Sequence, residues 1–223
     1  MNQFGGNWTE QKIEMIVGYA KAYLTIMNKY PQFKTLYFDG FAGSGDISQK
    51  SKSEEIESIK GTAIRILEID NPKTFDTYYF VEKNEANKAE LENIIAKEFA
   101  NRNSYVVNED CNIKLRSMAL FMKKNKSYRA LVFIDPFGMS VDWESIESLR
   151  ELGIDLWILV PTGIGVGRLL KNNGDIPEAW IKKLETFLGI SKDEITKRFY
   201  KSIRQNNLFS DDRYHFKLRS RIQ

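Results

Sequence analysis

An α/β fold, with a mostly parallel sheet and helices on both faces, is predicted by three features of the sequence. Five short apolar runs recur with stretches of helical spacing between them. The first of them, Thr35 to Phe38, shows no polar alternation, the mark of a strand buried on both faces. An acid stands where each of the first four runs ends: Asp39, Glu82, Asp110 and Asp135.

The elements follow in order. Residues 9–29 read as an opening helix, with Thr9 as N-cap and Ile13, Ile16, Val17, Ala20, Tyr23, Leu24 and Met27 on one face, closed by Pro31. Thr35-Leu36-Tyr37-Phe38 is the first strand and ends at the glycine-rich turn Asp39 to Gly45. Asp46 to Lys60, rich in Ser, Glu and Lys, reads as a loop, and Gly61 to Ile69 as a helix closed by Pro72. Tyr78 to Glu82 is the second strand, and Glu85 to Ala100 is helical with Asn84 as its cap. Tyr105 to Val107 is the third strand, followed by a helix from about Ile113 to Lys124. Leu131 to Ile134 is the fourth strand, Trp143 to Leu152 a helix and Leu156 to Val160 the fifth strand. Beyond a loop from Pro161 to Gly174, residues 177–205 read as a helical insertion, and Tyr214 to Leu218 as a last strand. No linker or repeat divides the chain, so residues 1–223 read as one domain.

Composition narrows the chemistry. The single cysteine, Cys111, excludes an intrachain disulfide and any multi-cysteine metal or iron–sulfur site. With His215 the only histidine, a zinc or non-haem iron centre would need an almost all-carboxylate ligand set, and no metal is expected. The N-terminus lacks a basic region followed by an apolar one, and no stretch has the roughly 18 apolar residues of a membrane span, so a cytoplasmic protein is expected. A formal charge of +3 is too mild to diagnose nucleic-acid binding. The basic residues gathered after Val160 read as solvated helix faces or, alternatively, as a phosphate-contacting surface.

In open α/β sheets ligands bind outside the carboxyl ends of the strands, so the four strand-end acids are the candidates. A single such acid is usually a helix cap, whereas four in phase suggest a site. The glycine turn is not a Walker loop, because Asp46 and Ile47 stand where Lys and Ser/Thr would follow. It is not a nicotinamide fingerprint either, since Ser48 replaces the third glycine. An acid-flanked turn suits a cofactor without phosphate, S-adenosylmethionine, whose sulfonium and ammonium are cationic. Asp39 would attract the methionine end, with Gly40, Phe41 and Ala42 beside it, while Gly43 and Gly45 admit close backbone approach. Glu82 would take the ribose hydroxyls and Asp110 the adenine amino group, with Cys111 or Asn112 beside it. The competing reading is a tight strand-to-helix connection with no ligand.

The segments Asp39-Gly40-Phe41-Ala42-Gly43-Ser44-Gly45, Phe80-Val81-Glu82 and Phe133-Ile134-Asp135-Pro136-Phe137-Gly138 resemble the three-Cys-motif partner protein family. Trp143, the run Asp155 to Pro161, and Trp8-Thr9 with Lys12 in the opening helix fit the same resemblance. It implies a Rossmann-like, class I methyltransferase-type sheet. It also implies a partner, a separate radical-SAM-like protein that supplies the three cysteines. Such sheets end in an antiparallel hairpin, and with only Tyr214 to Leu218 to form it, the last strand is expected to be missing.

The turn Asp135-Pro136-Phe137-Gly138 is the expected catalytic element. It resembles the D-P-P-Y/F turn of methyltransferases acting on adenine or cytosine amino groups, with the aromatic residue shifted by one position. The resemblance implies that Asp135 accepts from the target amino group, while also bordering the cofactor, and that Phe137 stacks on the base. The alternative is a strand-end turn with Phe137 packed inside. Three functions therefore compete: a methyltransferase acting on a nucleobase in DNA or RNA, a non-catalytic accessory partner, and a Mg²⁺-dependent hydrolase using Asp39, Asp110 and Asp135. Gly163 to Gly167 could be a substrate-phosphate loop, a lid or a plain connector.

Overall fold

Every residue from Thr35 to Asp39 is buried, as an interior strand with both faces covered requires. In the computed structural model, which describes residues 6–48, 58–160, 170, 176–205 and 213–218, that run is β1 (Lys34–Asp39). Asp46 to Lys60, expected to be a loop, begins and ends in strand. β2 (Asp46–Ser48) pairs antiparallel with β3 (Ser58–Lys60), setting Asp46 opposite Lys60. Ladder hydrogen bonds thus order residues whose polar composition signalled a loop. β4 (Thr77–Val81), β5 (Ser104–Val107), β6 (Tyr128–Ile134) and β7 (Ile154–Ile158) join β1 in a parallel sheet of order β5-β4-β1-β6-β7. All five expected strands are present. The chain winds outward from β1 in one direction and then from β6 in the other, which makes their carboxyl ends the topological switch point.

The helices of this part are α1 (Gly6–Met27), α2 (Thr62–Leu67), α3 (Glu85–Glu98) and α4 (Cys111–Lys124). Right-handed crossovers put α2 and α3 on one face and α4 on the other. Aromatic packing agrees. On one face Tyr23 of α1 stacks on Phe75 at 5.9 Å, and Phe75 lies 5.5 Å from Tyr37. On the other, Phe38 and Tyr79 border the same hollow as Met118 and Phe121 of α4. Asn84 caps α3 as expected, accepting from the amides of Ala86 and Asn87. Thr9 is not a cap, since α1 begins three residues earlier, at Gly6.

The chain divides into two compact units: Met1–Asp135 with Leu149–Ile158, and Pro136–Ser148 with Leu159–Gln223. The second contains α5 (Trp143–Glu147), α6 (Glu178–Leu188), α7 (Lys192–Phe199), β8 (Tyr200–Gln205) and β9 (Arg213–Leu218). α5 stops well short of the expected Leu152, and Glu151 takes a left-handed φ of 60° that no helix continues through. Lys192 to Gln205, expected to be helical throughout, changes to strand at Tyr200, where pairing with β9 supplies a backbone ladder. The strand expected at Tyr214 to Leu218 is therefore present. Its partner is β8 in a two-stranded antiparallel sheet, and no antiparallel strand extends the five-stranded sheet among the described residues. Leu184, Phe187 and Ile195 form this unit's core with Met139, Leu170 and Tyr200. Gly163 to Gly167 lies outside the described residues. No helix among the described residues is long and apolar enough to cross a membrane.

Candidate functional site

The glycine turn is held by hydrogen bonds and by close packing. Asp39 is fully buried; its Oδ1 accepts from the Phe41 amide at 3.1 Å and its Oδ2 from the Tyr37 hydroxyl at 3.3 Å. The Gly40 amide donates to the Phe133 carbonyl at 2.9 Å, and the Ala42 amide to the Val81 carbonyl at 3.0 Å. These bonds tie the turn to the strands on either side of β1. At Gly40 a Cβ would lie 2.6 Å from Cys111 Sγ and 2.8 Å from Ile134 Cδ1, so no side chain fits. Gly43 and Gly45 have φ of 67° and 90°, the left-handed region that glycine alone enters cheaply.

Glu82 and Asp110 both act on backbone amides. Glu82 Oε2 accepts from the Gly43 amide at 2.9 Å and Oε1 from the Asn84 amide at 2.7 Å. A carboxylate has about four acceptor sites, which leaves Glu82 capacity for hydroxyl donors. Asp110 is the N-cap of α4: its Oδ1 accepts from the Asn112 amide at 2.9 Å, while its Oδ2 meets the Lys83 ammonium at 3.1 Å. Burial pushes the Asp110 carboxyl up, but Lys83 and the Asn112 amide outweigh it and hold the group below its ordinary range. Cys111 is a packing residue against Gly40, its thiol raised by burial and by the carboxylates of Asp39 and Asp110.

Asp135, immediately beyond β6, is paired with Lys12 of α1. Lys12 was noticed in the sequence only as part of the resemblance; nothing in its spacing showed that a helix some 120 residues upstream would deliver it there. The Asp39 carboxyl is raised to about 7, first by burial and then by the Asp135 carboxylate. The Phe41 amide pulls it down more strongly than Asp135 pushes it up, and the Tyr37 hydroxyl and Lys12 lower it a little further, but burial outweighs them. Two acids and one lysine thus share the field at the end of β1. Gly61, also missed by sequence reasoning, donates its amide to the Gly45 carbonyl at 2.6 Å and closes the turn from behind. Phe137 is the second residue of the other unit. It is not packed inside: its side chain is 84% exposed. Among the described residues, no three His, Cys, Asp or Glu side chains gather to hold a metal ion.

No protein-family model matches the chain, and no curated protein sequence matches it. Solved structures do. The Legionella pneumophila protein LPL1258 superposes with a TM-score of 0.50 at 16% identity, over 92% of this chain and 82% of that one. The Escherichia coli protein yhhF, named as a candidate methyltransferase, gives 0.36 at 15% identity over 91% and 87% of the two chains. Trm1 from Pyrococcus horikoshii, in complex with S-adenosyl-L-methionine, gives 0.43 at 11% identity over 92% of this chain and 55% of that one. At 16% identity the likeness to LPL1258 is one of fold alone. The Rossmann-like α/β fold, with the parallel strand order of a methyltransferase-type sheet, is that expected from the sequence.

Proposed function

We propose that the chain is an S-adenosylmethionine-binding methyltransferase acting on an amino group of a nucleobase in DNA or RNA. The observation that carries this reading is the buried Asp39 at the switch point, followed by a turn in which Gly43 has open space where a side chain would stand. A buried carboxyl raised toward neutrality gains a favourable counter-charge when a cation arrives. Asp39 would attract the sulfonium and ammonium, Glu82 the ribose hydroxyls, and Asp110 and Cys111 would border the adenine. The cofactor supplies the electrophilic methyl group. This chain's part is alignment and exclusion of water, with Asp135 accepting a hydrogen bond from the acceptor amine. Phe137, two positions along the chain, would offer its ring to the base.

Isothermal titration of the full chain with S-adenosylmethionine and S-adenosylhomocysteine tests the reading, together with transfer of a labelled methyl group to nucleic acid. Saturable binding with labelling of single-stranded DNA or RNA is expected. Absence of binding to either ligand overturns the proposal. The Lys12–Asp135 pair favours one second reading, because it already occupies the acid meant for the acceptor amine. On that reading the chain is an accessory partner of a radical-SAM-like three-Cys-motif protein. Cofactor binding without transfer to any nucleic acid would select it.

A further inference from the structure

A hollow lies away from the carboxyl ends of the strands, on the sheet face that α4 covers. Its volume is about 410 Å³, within the range of roughly 300–1,000 Å³ usual for small-ligand pockets. Leu36, Thr77, Asn103 and Tyr128 border it, so it sits toward the amino ends of the strands. None of the residues of the glycine turn takes part.

Its floor is a row of rings set by register. Phe38, Tyr79 and Tyr105 are direct partners across β1, β4 and β5. Phe38 and Tyr79 are parallel within 6° at 5.7 Å, and Tyr79 and Tyr105 are 6.2 Å apart. Burial falls along the row, from Phe38 in the core to Tyr105, which is 52% exposed. Phe121 and Tyr128, edge to face at 4.9 Å, also line the hollow. An open wall of aromatic rings leaves apolar area in water that a flat ligand would cover.

The polar groups there favour an anion. Lys114 lines the hollow, half-buried, and its ammonium makes no ion pair or hydrogen bond with any described residue. Lys34 stands over the Tyr128 ring at 5.8 Å, adding positive charge on the same side. Asp76, the neighbouring acid, accepts from the amide and hydroxyl of Thr35 and pairs with Lys73. Asn103 uses both amide hydrogens on the Asp76 carbonyl and Thr77 Oγ1. Lys114 is the cationic donor among the residues that line the hollow.

We propose that this hollow binds a small planar aromatic anion, its ring against Tyr79 and Tyr105 and its carboxylate or phosphate on Lys114. The site is separate from the one assigned to S-adenosylmethionine and does not depend on that assignment.

The test is calorimetric titration of the full chain with 1-naphthoate, 1-naphthyl phosphate and the uncharged 1-naphthamide. Both anions should bind one saturable site more tightly than the amide, and the tighter anion identifies the head group. Lys114→Met should weaken the anions about tenfold and leave the amide within about twofold. Tyr105→Ala should weaken all three. Both side chains are partly exposed, and unchanged thermal midpoints would show that the variants fold. Excess S-adenosylhomocysteine should not displace the naphthoate. The proposal is overturned by absence of binding at about 10 mM, by affinities that neither substitution changes, or by competitive displacement.

Discussion

The amide of Gly43 donates to Glu82 Oε2 at 2.9 Å, so one carboxylate at the end of β4 fixes the loop that leaves β1. The other oxygen holds the Asn84 amide, one residue before α3 begins. A single buried side chain therefore sets the turn and the start of a helix together. Glu82→Ala leaves two backbone donors without this acceptor and should cost about 1–3 kcal/mol in urea denaturation. Glu82→Gln retains one acceptor oxygen and should cost less. On the proposed function, both variants should lose cofactor affinity beyond what their lowered stability accounts for.

Gly40 sits where β1, β6 and the start of α4 meet, and the space for a Cβ is already filled by Cys111 and Ile134. Gly40→Ala should destabilise the protein by about 1–3 kcal/mol, the usual penalty for overpacking. Removing the nearer obstacle makes the test specific. Cys111→Ala alone loses a buried thiol and should also destabilise, yet the double variant should be more stable than the sum of the two losses predicts. Additive losses would mean that the contact at Cys111 Sγ does not set the constraint.

The strands and most helices were legible because apolar runs such as Leu131 to Ile134 and the Asn84 cap are local signals. The site was legible where a residue's position at a strand end determined its surroundings: Asp39, Glu82 and Asp110 all border the turn or its neighbouring strand ends. What the sequence could not show depended on contacts between distant segments. Lys12 reaches Asp135 only because α1 runs along the sheet, and Gly61 matters only because its amide meets the Gly45 carbonyl. Tyr200 to Gln205 has residues compatible with helix, and its strand conformation comes from pairing with β9.

Asp39 gives a pH dependence of definite sign. Its folded-state carboxyl is raised to about 7 from an ordinary value of 3.8, chiefly by burial. Below the ordinary value both states are protonated and the group has no effect. As pH rises toward 7 the unfolded chain releases a proton that the folded chain keeps, so stability falls, by an amount on the order of a few kcal/mol. The loss is complete above about pH 7 and persists. Asp39→Asn should abolish this decline, which urea denaturation at a series of pH values would reveal. On the proposed function, affinity for S-adenosylmethionine should rise with pH through the same midpoint, because the cation binds the ionised acid. Lys12→Met removes an attraction for that anion and should move the midpoint up; Asp135→Asn removes a repulsion and should move it down. Shifts in the same direction, or none, would contradict the charge arrangement described.

Phe137 separates a structural role from a stacking one, because a ring 84% exposed contributes little to folding. Phe137→Ala should change stability by no more than about 0.5 kcal/mol, the usual effect of a surface substitution. Stacking on an unpaired base is worth about 1–3 kcal/mol, so acceptor affinity should fall on the order of tenfold or more. Phe137→Tyr and Phe137→Trp keep a π-face and should restore binding, whereas Phe137→Leu, similar in bulk, should not. Cofactor affinity should stay unchanged throughout, since the ring is assigned to the acceptor. The measurement is a titration of each variant with a short single-stranded oligonucleotide in the presence of S-adenosylhomocysteine. If the Leu variant binds as well as the wild type, the ring is not a stacking surface and the methyl acceptor must be sought elsewhere.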